Sequence, residues 1–183
     1  MKNKLYVALV HYPVLNKHNE VVTTSITNLD IHDISRSCST FGVEKFFLVT
    51  PLESQKELYQ RILGFWKSDI ANKYNPDRVT ALSLIEFAKS IEDAYAYVTK
   101  QEGVEPYVLT TTAAEMKSQI EFNKVKQLDR PVLLIFGTGN GLTKDIHSDA
   151  DFILVPIKGA GVYNHLSVRS AVAIVLDRLT SEK

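Results

Sequence analysis

The sequence predicts an α/β fold in which a parallel sheet is flanked by helices. Short apolar runs of strand length alternate along the chain with segments that carry apolar residues at helical spacing. Two of these runs, Val132–Phe136 and Phe152–Pro156, are apolar throughout, which indicates strands covered on both faces. Strands of this kind, separated by helices, are typical of parallel βαβ units. The predicted architecture is therefore one sheet with helices packed on both sides.

The first half of the chain begins with a strand and continues as alternating helices and strands. The predicted elements are a strand over Leu5–Val10, a helix over Leu29–Phe41, a strand over Lys45–Val49 and a helix over residues 53–63. Asn28 is a suitable N-cap for the first helix, and Gly42 is a suitable stop. Residues 64–78 mix aromatic and basic side chains and are expected to be irregular.

The second half of the chain continues the alternation. A strand over Leu82–Phe87 is favoured over a competing helix. Ser90 and Asp93 resemble a capping box, which predicts a helix that ends at Gly103. The remaining predicted elements are a strand over Tyr107–Leu109, a mostly helical stretch over residues 114–128, the two apolar strands named above and a terminal helix.

The terminal helix is apolar around most of its circumference. A surface helix needs only one apolar face, so this helix is expected to be covered on more than one side. The pattern leaves two explanations open, which are burial in the core of a monomer and packing against a second subunit. Its broad apolar arc holds Val168, Ala171, Val172, Val175, Leu176 and Leu179, and Ala173 and Ile174 lie outside that arc.

Composition indicates an ordinary globular protein. The 183 residues are 45% hydrophobic and 23% charged, which predicts one domain over residues 1–183. The 21 basic and 21 acidic residues give a net charge of zero, so any binding of nucleic acid must depend on a local patch. Cys38 is the only cysteine, and its place on an apolar helix face predicts a core residue. With no internal disulfide possible and no signal peptide or membrane span in the pattern, the predicted location is the cytoplasm.

The strongest functional signal is a pair of glycine-rich loops, each of which follows an apolar strand. Gly137–Leu142 follows the first strand, and Pro156–Gly159 follows the second. Loops at the carboxyl ends of neighbouring parallel strands form the crevice where open α/β sheets bind ligands. The first loop fits neither a P-loop, which needs a lysine after its last glycine, nor the dinucleotide G-x-G-x-x-G pattern. The five histidines show no metal-ligand spacing, and we expect no metal site.

Several motifs resemble those of the SPOUT superfamily. They are Gly137–Leu142, Pro156–Gly159 and Tyr163–Leu179. A less specific motif is Asn28–Val43, which begins with an asparagine, contains Arg36 and ends in Phe-Gly-Val. SPOUT proteins are S-adenosylmethionine-dependent RNA methyltransferases whose carboxyl-terminal chain forms a trefoil knot. The resemblance covers nearly the whole chain and is nearest to a small bacterial stand-alone subgroup linked by name to tRNA (guanine-N1) methylation. It implies the knot, a homodimer, S-adenosylmethionine as cofactor and RNA, with tRNA favoured, as substrate.

The resemblance also implies the residues of the site. Arg36 is the leading catalytic candidate, with a salt bridge to Asp33 as the alternative, and Asn28 is a second candidate that could equally be a helix cap. Ser167 could bind the cofactor or cap the last helix. The residues expected to bind the cofactor are Leu109, Thr110, Thr111, Gly137, Thr138, Gly139, Gly141, Leu142, Ile157, Gly159, Tyr163, Asn164, Leu166 and Ser167.

A local patch over residues 59–78 is the candidate RNA surface. Cations interleaved with aromatic rings suit phosphates and unstacked bases, although core aromatics beside solvated charges would give the same pattern. The residues expected to contact RNA are Arg61, Trp66, Lys67 and Arg78.

An S-adenosylmethionine-dependent RNA methyltransferase is the favoured function. Ribose 2′-O-methyltransferases of the superfamily commonly carry a glutamate in the second motif, where this chain has Gly139 and Asn140, so methylation of a base nitrogen is slightly favoured. Two alternatives stay open on the sequence. One is an S-adenosylmethionine-binding protein of the same fold with a non-RNA substrate or little activity, and the other is a non-catalytic nucleotide-binding domain.

Overall fold

A computed structural model describes residues 3–181 and contains a seven-stranded sheet in which every pairing is parallel. In chain order the elements are β1 Leu5–Val10, β2 Val14–Leu15, β3 Val21–Val22, α1 Asn28–Thr40, β4 Lys45–Val49, α2 Glu53–Trp66, α3 Asp69–Tyr74, α4 Pro76–Leu82, β5 Ile85–Ala88, α5 Ile91–Glu102, β6 Tyr107–Thr110, β7 Gln119–Ile120, α6 Phe122–Val125, β8 Val132–Gly137, α7 Lys144–Asp149, β9 Phe152–Leu154 and α8 Val168–Thr180. The strand order in the large sheet is β5-β4-β1-β8-β6-β9-β7, and a separate hairpin pairs β2 with β3.

The sheet separates two apolar layers, as the uniformly apolar strands predicted. In β1, Leu5, Val7 and Leu9 face the layer that contains α1, α2 and α8, whereas Tyr6 and Ala8 face the layer under α5. This alternation follows from the period of two in a strand. The α/β class with helices on both faces is confirmed. None of the helices in residues 3–181 has the length and apolar character needed to cross a membrane.

Helix capping explains several boundaries of the elements. Ser90 accepts a hydrogen bond from the backbone N–H of Asp93, and Gly103 ends α5 with a φ of +69°, so the predicted capping box and stop are confirmed. At α1 the predicted cap is wrong. The side chain of Thr27 accepts the N–H of Asp30, and Asn28 is the first residue inside the helix.

Two segments differ from the sequence prediction. Residues 64–78, expected to be irregular, hold the end of α2, all of α3 and the start of α4. Ser68 and Asn75 cap the two short helices, which have too few residues to show a helical period. Residues 114–128 were expected to be mostly helical, but only α6 forms there, because β7 pairs with β9 and adds a strand to the sheet.

A smaller correction concerns the strand predicted over Leu82–Phe87. Leu82 ends α4, and β5 begins only at Ile85. The two uniformly apolar strands are not direct neighbours in the sheet, because β6 lies between β8 and β9. The loops that follow these three strands nevertheless reach the same edge of the sheet, since all three run in the same direction.

The terminal helix packs against three elements of the fold, namely α1, α6 and β8. Val172, Val175, Leu176 and Leu179 are buried there. Ala173 and Ile174, which lie outside the main apolar arc, are only half-buried. The protein therefore leaves part of the apolar surface of α8 accessible.

Candidate active site

A cavity of about 620 Å³ opens at the carboxyl edge of the sheet. This volume falls within the range of pockets that bind small molecules of drug size. Three loops line it: residues 111–114 after β6, residues 137–142 after β8, and residues that follow β9. The start of α8 and the segment that leads into α1 complete the wall. The cavity thus lies where the glycine-rich motifs predicted a ligand site.

The loop after β8 is held in place by the β2–β3 hairpin. Leu15 donates its backbone N–H to the carbonyl of Gly141 at 2.9 Å and accepts the N–H of Asn140 at 2.7 Å. Gly139 has a φ of +59°, and a Cβ at this position would lie 2.8 Å from the carbonyl oxygen of Leu15. At Gly137 a Cβ would lie 2.8 Å from the backbone nitrogen of Leu142. Glycine is therefore required at both positions by the backbone of the protein itself.

A partly buried hydrogen-bond network links the end of β1 to this loop. The Nδ1 atom of His11 lies 3.0 Å from the hydroxyl of Thr24, which also bonds to the hydroxyl of Thr138. Thr138 in turn donates to the carbonyl of Val10 at 2.9 Å. Burial lowers the pKa of His11 to about 4, against a smaller opposing effect of Asp30, so the imidazole is neutral near pH 7. Thr24 and Thr138 line the cavity, and the network fixes their side chains there.

A second imidazole faces the cavity from α7. His147 lines the cavity, and its Nδ1 atom lies 2.8 Å from the hydroxyl of the buried Thr110. Burial lowers the pKa of His147 below its usual value. The contact with Thr110 therefore orients a neutral imidazole at the cavity wall.

A single carboxylate enters the cavity from α1. Asp30 is only 9% exposed, and it lies in the first turn of the helix. Its Oδ2 atom accepts a hydrogen bond from the hydroxyl of Thr27 at 2.6 Å, and Thr27 accepts the backbone N–H of Asp30 at 3.1 Å. Arg169 of α8 approaches both Asp30, at 4.0 Å, and Asp33, at 3.8 Å. These contacts hold the carboxylate in one orientation.

The start of α8 supplies the remaining wall. Ser167 accepts the backbone N–H of Ser170 at 3.2 Å, which confirms the predicted N-cap, and Ser167 also lines the cavity. Asn164 donates through Nδ2 to the carbonyl of Ala113 at 2.9 Å and so joins the loop after β6 to the segment before α8. An apolar side of the cavity is formed by Phe136, Leu142, Leu154, Ile157, Val168, Ala171 and Val175.

Most of the predicted cofactor-binding residues line this cavity. Two that do not, Leu109 and Thr110, are fully buried in the sheet behind it. Gly159 and Tyr163 lie in an exposed segment outside the lining, and the Tyr163 side chain is 77% exposed. The predicted residues in the lining are Thr111, Gly137, Thr138, Gly139, Gly141, Leu142, Ile157, Asn164, Leu166 and Ser167.

The two predicted catalytic residues lie outside the cavity lining. Arg36 is exposed on α1, about two turns beyond Asp30. The alternative salt bridge to Asp33 is not what the structure shows, because Asp33 pairs with Arg169. Asn28 is exposed in the first turn of α1.

The predicted RNA patch is a helical surface formed by α2, α3 and α4. Arg61 and Lys67 are exposed, whereas Trp66 is half-buried between the ring of His32 and the guanidinium of Arg78. Trp66 thus takes part in the core packing as well. The aromatic side chains most accessible in this region are those of Phe65 and Tyr74.

Sequence reasoning missed one side of the cavity. Its wall includes Thr24, Ser25 and Thr27, which precede α1, together with Asp30 and His147. The only local signal was the run of hydroxyl side chains at residues 23–25 and 27. In residues 3–181, no group of three histidine, cysteine, aspartate or glutamate side chains is placed to hold a metal ion.

A family described as SAM-dependent RNA methyltransferase matches residues 4–181. The chain belongs to this family. The predicted resemblance and the predicted cofactor, S-adenosylmethionine, are confirmed, and among the three hypotheses the family decides in favour of the RNA methyltransferase. This methyltransferase is 36% identical over 185 residues to an uncharacterized protein of Aquifex aeolicus, a match that covers 99% of the chain and 90% of that protein.

A second relative carries a functional name. The methyltransferase is 43% identical over 180 residues to the tRNA (guanine-N(1)-)-methyltransferase of Oleidesulfovibrio alaskensis. The match covers 97% of the chain but only 42% of that relative. Among solved structures, the Aquifex aeolicus TrmH/SpoU tRNA modifying enzyme superposes with a TM-score of 0.59 at 16% identity, over 98% of the chain and 75% of that enzyme. This likeness confirms the SPOUT-type fold, and the knot stays a prediction of the resemblance.

Proposed function

We propose that the chain is one methyltransferase domain that transfers a methyl group from S-adenosylmethionine to N1 of a guanine in tRNA. The observation that carries the proposal is the cavity at the carboxyl edge of the sheet, where the family's glycine-rich motifs converge. The guanine and the tRNA are suggested by the name of the Oleidesulfovibrio relative. Because the chain matches less than half of that relative, its name supports the choice of substrate without deciding it.

The residues around the cavity fit S-adenosylmethionine. The apolar side described above suits an adenine ring, and the glycine-rich loop after β8 lines the same space. Asn164 and Ser167 supply side-chain polar groups at the start of α8. When bound, the cofactor supplies an electrophilic methyl group, so the protein must position the nucleophile and receive a proton.

We further propose a homodimer in which Arg36 of one subunit serves the cavity of its partner. Arg36 is exposed and lies outside the cavity of its own subunit. Apolar side chains are exposed at α1 and in the segment before α8, namely Leu29, Val162, Tyr163 and Leu166. A two-fold interface over α1 and α8 would cover these side chains. It would also bring an arginine to the acceptor side of a site that otherwise lacks it.

The helical patch formed by α2, α3 and α4 is the proposed RNA surface. Exposed cations at Arg61 and Lys67 suit phosphate groups, and Arg78 over the ring of Trp66 extends the same charge. The exposed rings of Phe65 and Tyr74 suit unstacked bases. Because the chain has no net charge, its affinity for RNA should reside in local contacts between such cations and phosphate groups. Contacts of this kind release counterions, so the affinity should decline steeply with salt.

Transfer of labelled methyl groups to tRNA tests the proposed reaction. Nucleoside mass spectrometry of the product should show 1-methylguanosine. A ribose-methylated nucleoside, or labelling of another RNA class alone, would contradict the choice of target.

Replacement of Arg36 tests the proposed role across the interface. Arg36→Ala should lower the methyl-transfer rate by about 100-fold or more and leave affinity for S-adenosylmethionine nearly normal, because the residue acts on the acceptor side. Arg130→Ala is the matched control, since Arg130 lies over the Tyr107 ring on another part of the surface. Retained turnover together with a large loss of cofactor affinity in Arg36→Ala would contradict the assignment.

A further inference from the structure

Asp30 is chemically distinct among the groups that surround the cavity. Among the described residues that line it, Asp30 is the only one with a carboxylate. The other polar side chains there are hydroxyls, amides and the imidazoles of His147 and His165. His147 is tied through Nδ1 to Thr110, and His165 stacks edge-on with Tyr163 in the exposed segment before α8.

The two oxygens of the Asp30 carboxylate differ in their contacts, because one accepts a hydrogen bond and the other has only a more distant cation nearby. The hydroxyl of Thr27 bonds to Oδ2 at 2.6 Å. The nearest cation to Oδ1 is the Nε atom of Arg169, at 4.0 Å, which is longer than a hydrogen bond. Oδ1 therefore keeps lone pairs for a ligand in the cavity.

Among the charged and ionisable groups around Asp30, only Asp30 itself places a carboxylate at the cavity. His11, from the end of β1, is neutral near pH 7 because burial lowers its pKa to about 4. Arg169, from α8, divides its charge between Asp30 and Asp33. Of these two carboxylates, Asp30 lines the cavity, whereas Asp33 is exposed and does not.

We propose that Asp30 is a catalytic residue that accepts the proton of the target base; the identity of that base rests on the function proposed above. Guanine presents an N–H donor at N1 and a second donor at N2, which a carboxylate can accept together. As the bond from N1 to the methyl group forms, the bond from that methyl group to sulfur breaks and its electron pair stays on sulfur. The N1 proton passes to Oδ1 of Asp30 and is released to solvent later. Adenine, which has an acceptor at N1, would face the carboxylate with like polarity.

The substitution Asp30→Asn separates basicity from structure. The amide oxygen of asparagine can still accept the hydroxyl of Thr27, so the first turn of α1 keeps its cap, but the proton acceptor is lost. Asp33→Asn is the matched control, because it removes a carboxylate from the same helix and the same arginine but outside the cavity. The readouts are the methyl-transfer rate on tRNA and the affinities for S-adenosylmethionine and S-adenosylhomocysteine, measured by calorimetry.

The expected result is a methyl-transfer rate at least about 100-fold lower in Asp30→Asn than in the wild type. Both cofactor affinities should stay within about threefold of wild type, and Asp33→Asn should be near normal in every readout. A near-normal rate in Asp30→Asn would overturn the proposal while leaving the proposed function intact. A selective loss of affinity for S-adenosylmethionine over S-adenosylhomocysteine would also overturn it, since Asp30 would then act on the positive sulfonium. If the wild type methylates another atom, the guanine assignment fails, and the two variants still decide whether Asp30 accepts the proton.

Discussion

At the scale of single residues, the space at Gly139 is defined by the protein backbone. A Cβ there would lie 2.8 Å from the carbonyl oxygen of Leu15, and the φ of +59° disfavours a branched side chain. Gly139→Val should therefore displace the loop after β8 from the β2–β3 hairpin. We expect loss of S-adenosylmethionine binding, measured by calorimetry, together with a lower melting temperature.

Gly42→Val is the matched control for this substitution. Gly42 has a similar φ of +68°, but nothing lies within 4 Å of the position a Cβ would take, and it is not among the residues that line the cavity. Its variant should lose about 1–2 kcal/mol of stability through backbone strain and bind the cofactor normally. Unchanged cofactor affinity in Gly139→Val would show that this loop does not shape the binding site.

His11 makes a pH-dependent contribution to stability. Its pKa is about 4 in the folded protein because of burial, and 6.5 is the ordinary value. The unfolded chain therefore binds the proton more readily, so the stability that the neutral imidazole provides is complete above pH 6.5 and decreases as the pH falls toward 4. The loss amounts to about 3 kcal/mol over that interval. Chemical denaturation at about pH 7.5, 5.5 and 4.5 measures this loss, because the first pH lies above both pKa values and the other two lie between them.

His11→Gln removes the titrating group and serves as the reference for this measurement. The difference in unfolding free energy between the wild type and the variant should shrink as the pH falls below 6.5. Carboxylates that titrate near pH 4 affect both proteins and cancel in the comparison. A difference that stays constant with pH would contradict the buried neutral state of His11.

At the scale of elements, the start of α8 combines a structural and a binding role. Ser167 caps the helix and lines the cavity, while Ser90 caps α5 away from it. Both Ser167→Ala and Ser90→Ala should lower stability by about 1 kcal/mol through loss of the cap. Only Ser167→Ala should also weaken S-adenosylmethionine binding. Equal cofactor affinities in the two variants would assign Ser167 to capping alone.

The elements that the sequence predicted well share a local signal. The capping box at Ser90, the stop at Gly103 and the N-cap at Ser167 each depend on hydrogen bonds that span three or four residues. Where a partner distant in sequence decides, the pattern was insufficient. At residues 114–128 the strand β7 forms because β9 offers a free edge, and this contact outweighs the local preference for helix.

At the scale of the whole molecule, α8 carries the prediction about assembly. Ile174 is only half-buried, and the exposed apolar side chains of Leu29 and Leu166 lie on α1 and just before α8. If two copies meet there, Ile174→Glu should place an unpaired carboxylate in the interface and reduce both dimerisation and methyl transfer. Light scattering at micromolar concentration measures the first effect.

Ile70→Glu is the control for assembly. Ile70 is 73% exposed on α3, away from α8, and its replacement should leave the oligomeric state unchanged. A wild-type protein that is monomeric and fully active would show that the dimer proposal is wrong. In that case Arg36 could not act from a partner subunit.

The sequence by itself determined most strands of the large sheet, most of the loops that meet at the cavity and the family motifs that they carry. These features depend on apolar periodicity, glycine positions and caps, all of which are local. The tertiary structure alone decided that β6 lies between β8 and β9, and that Thr24 and Asp30 face the same cavity as His147, which lies in a distant part of the chain. Strand order is set by how the complete sheet and its two helical layers pack. No short stretch of sequence contains that information, which is why Asp30, a plain helix residue by its local pattern, was visible as a cavity group only in the folded protein.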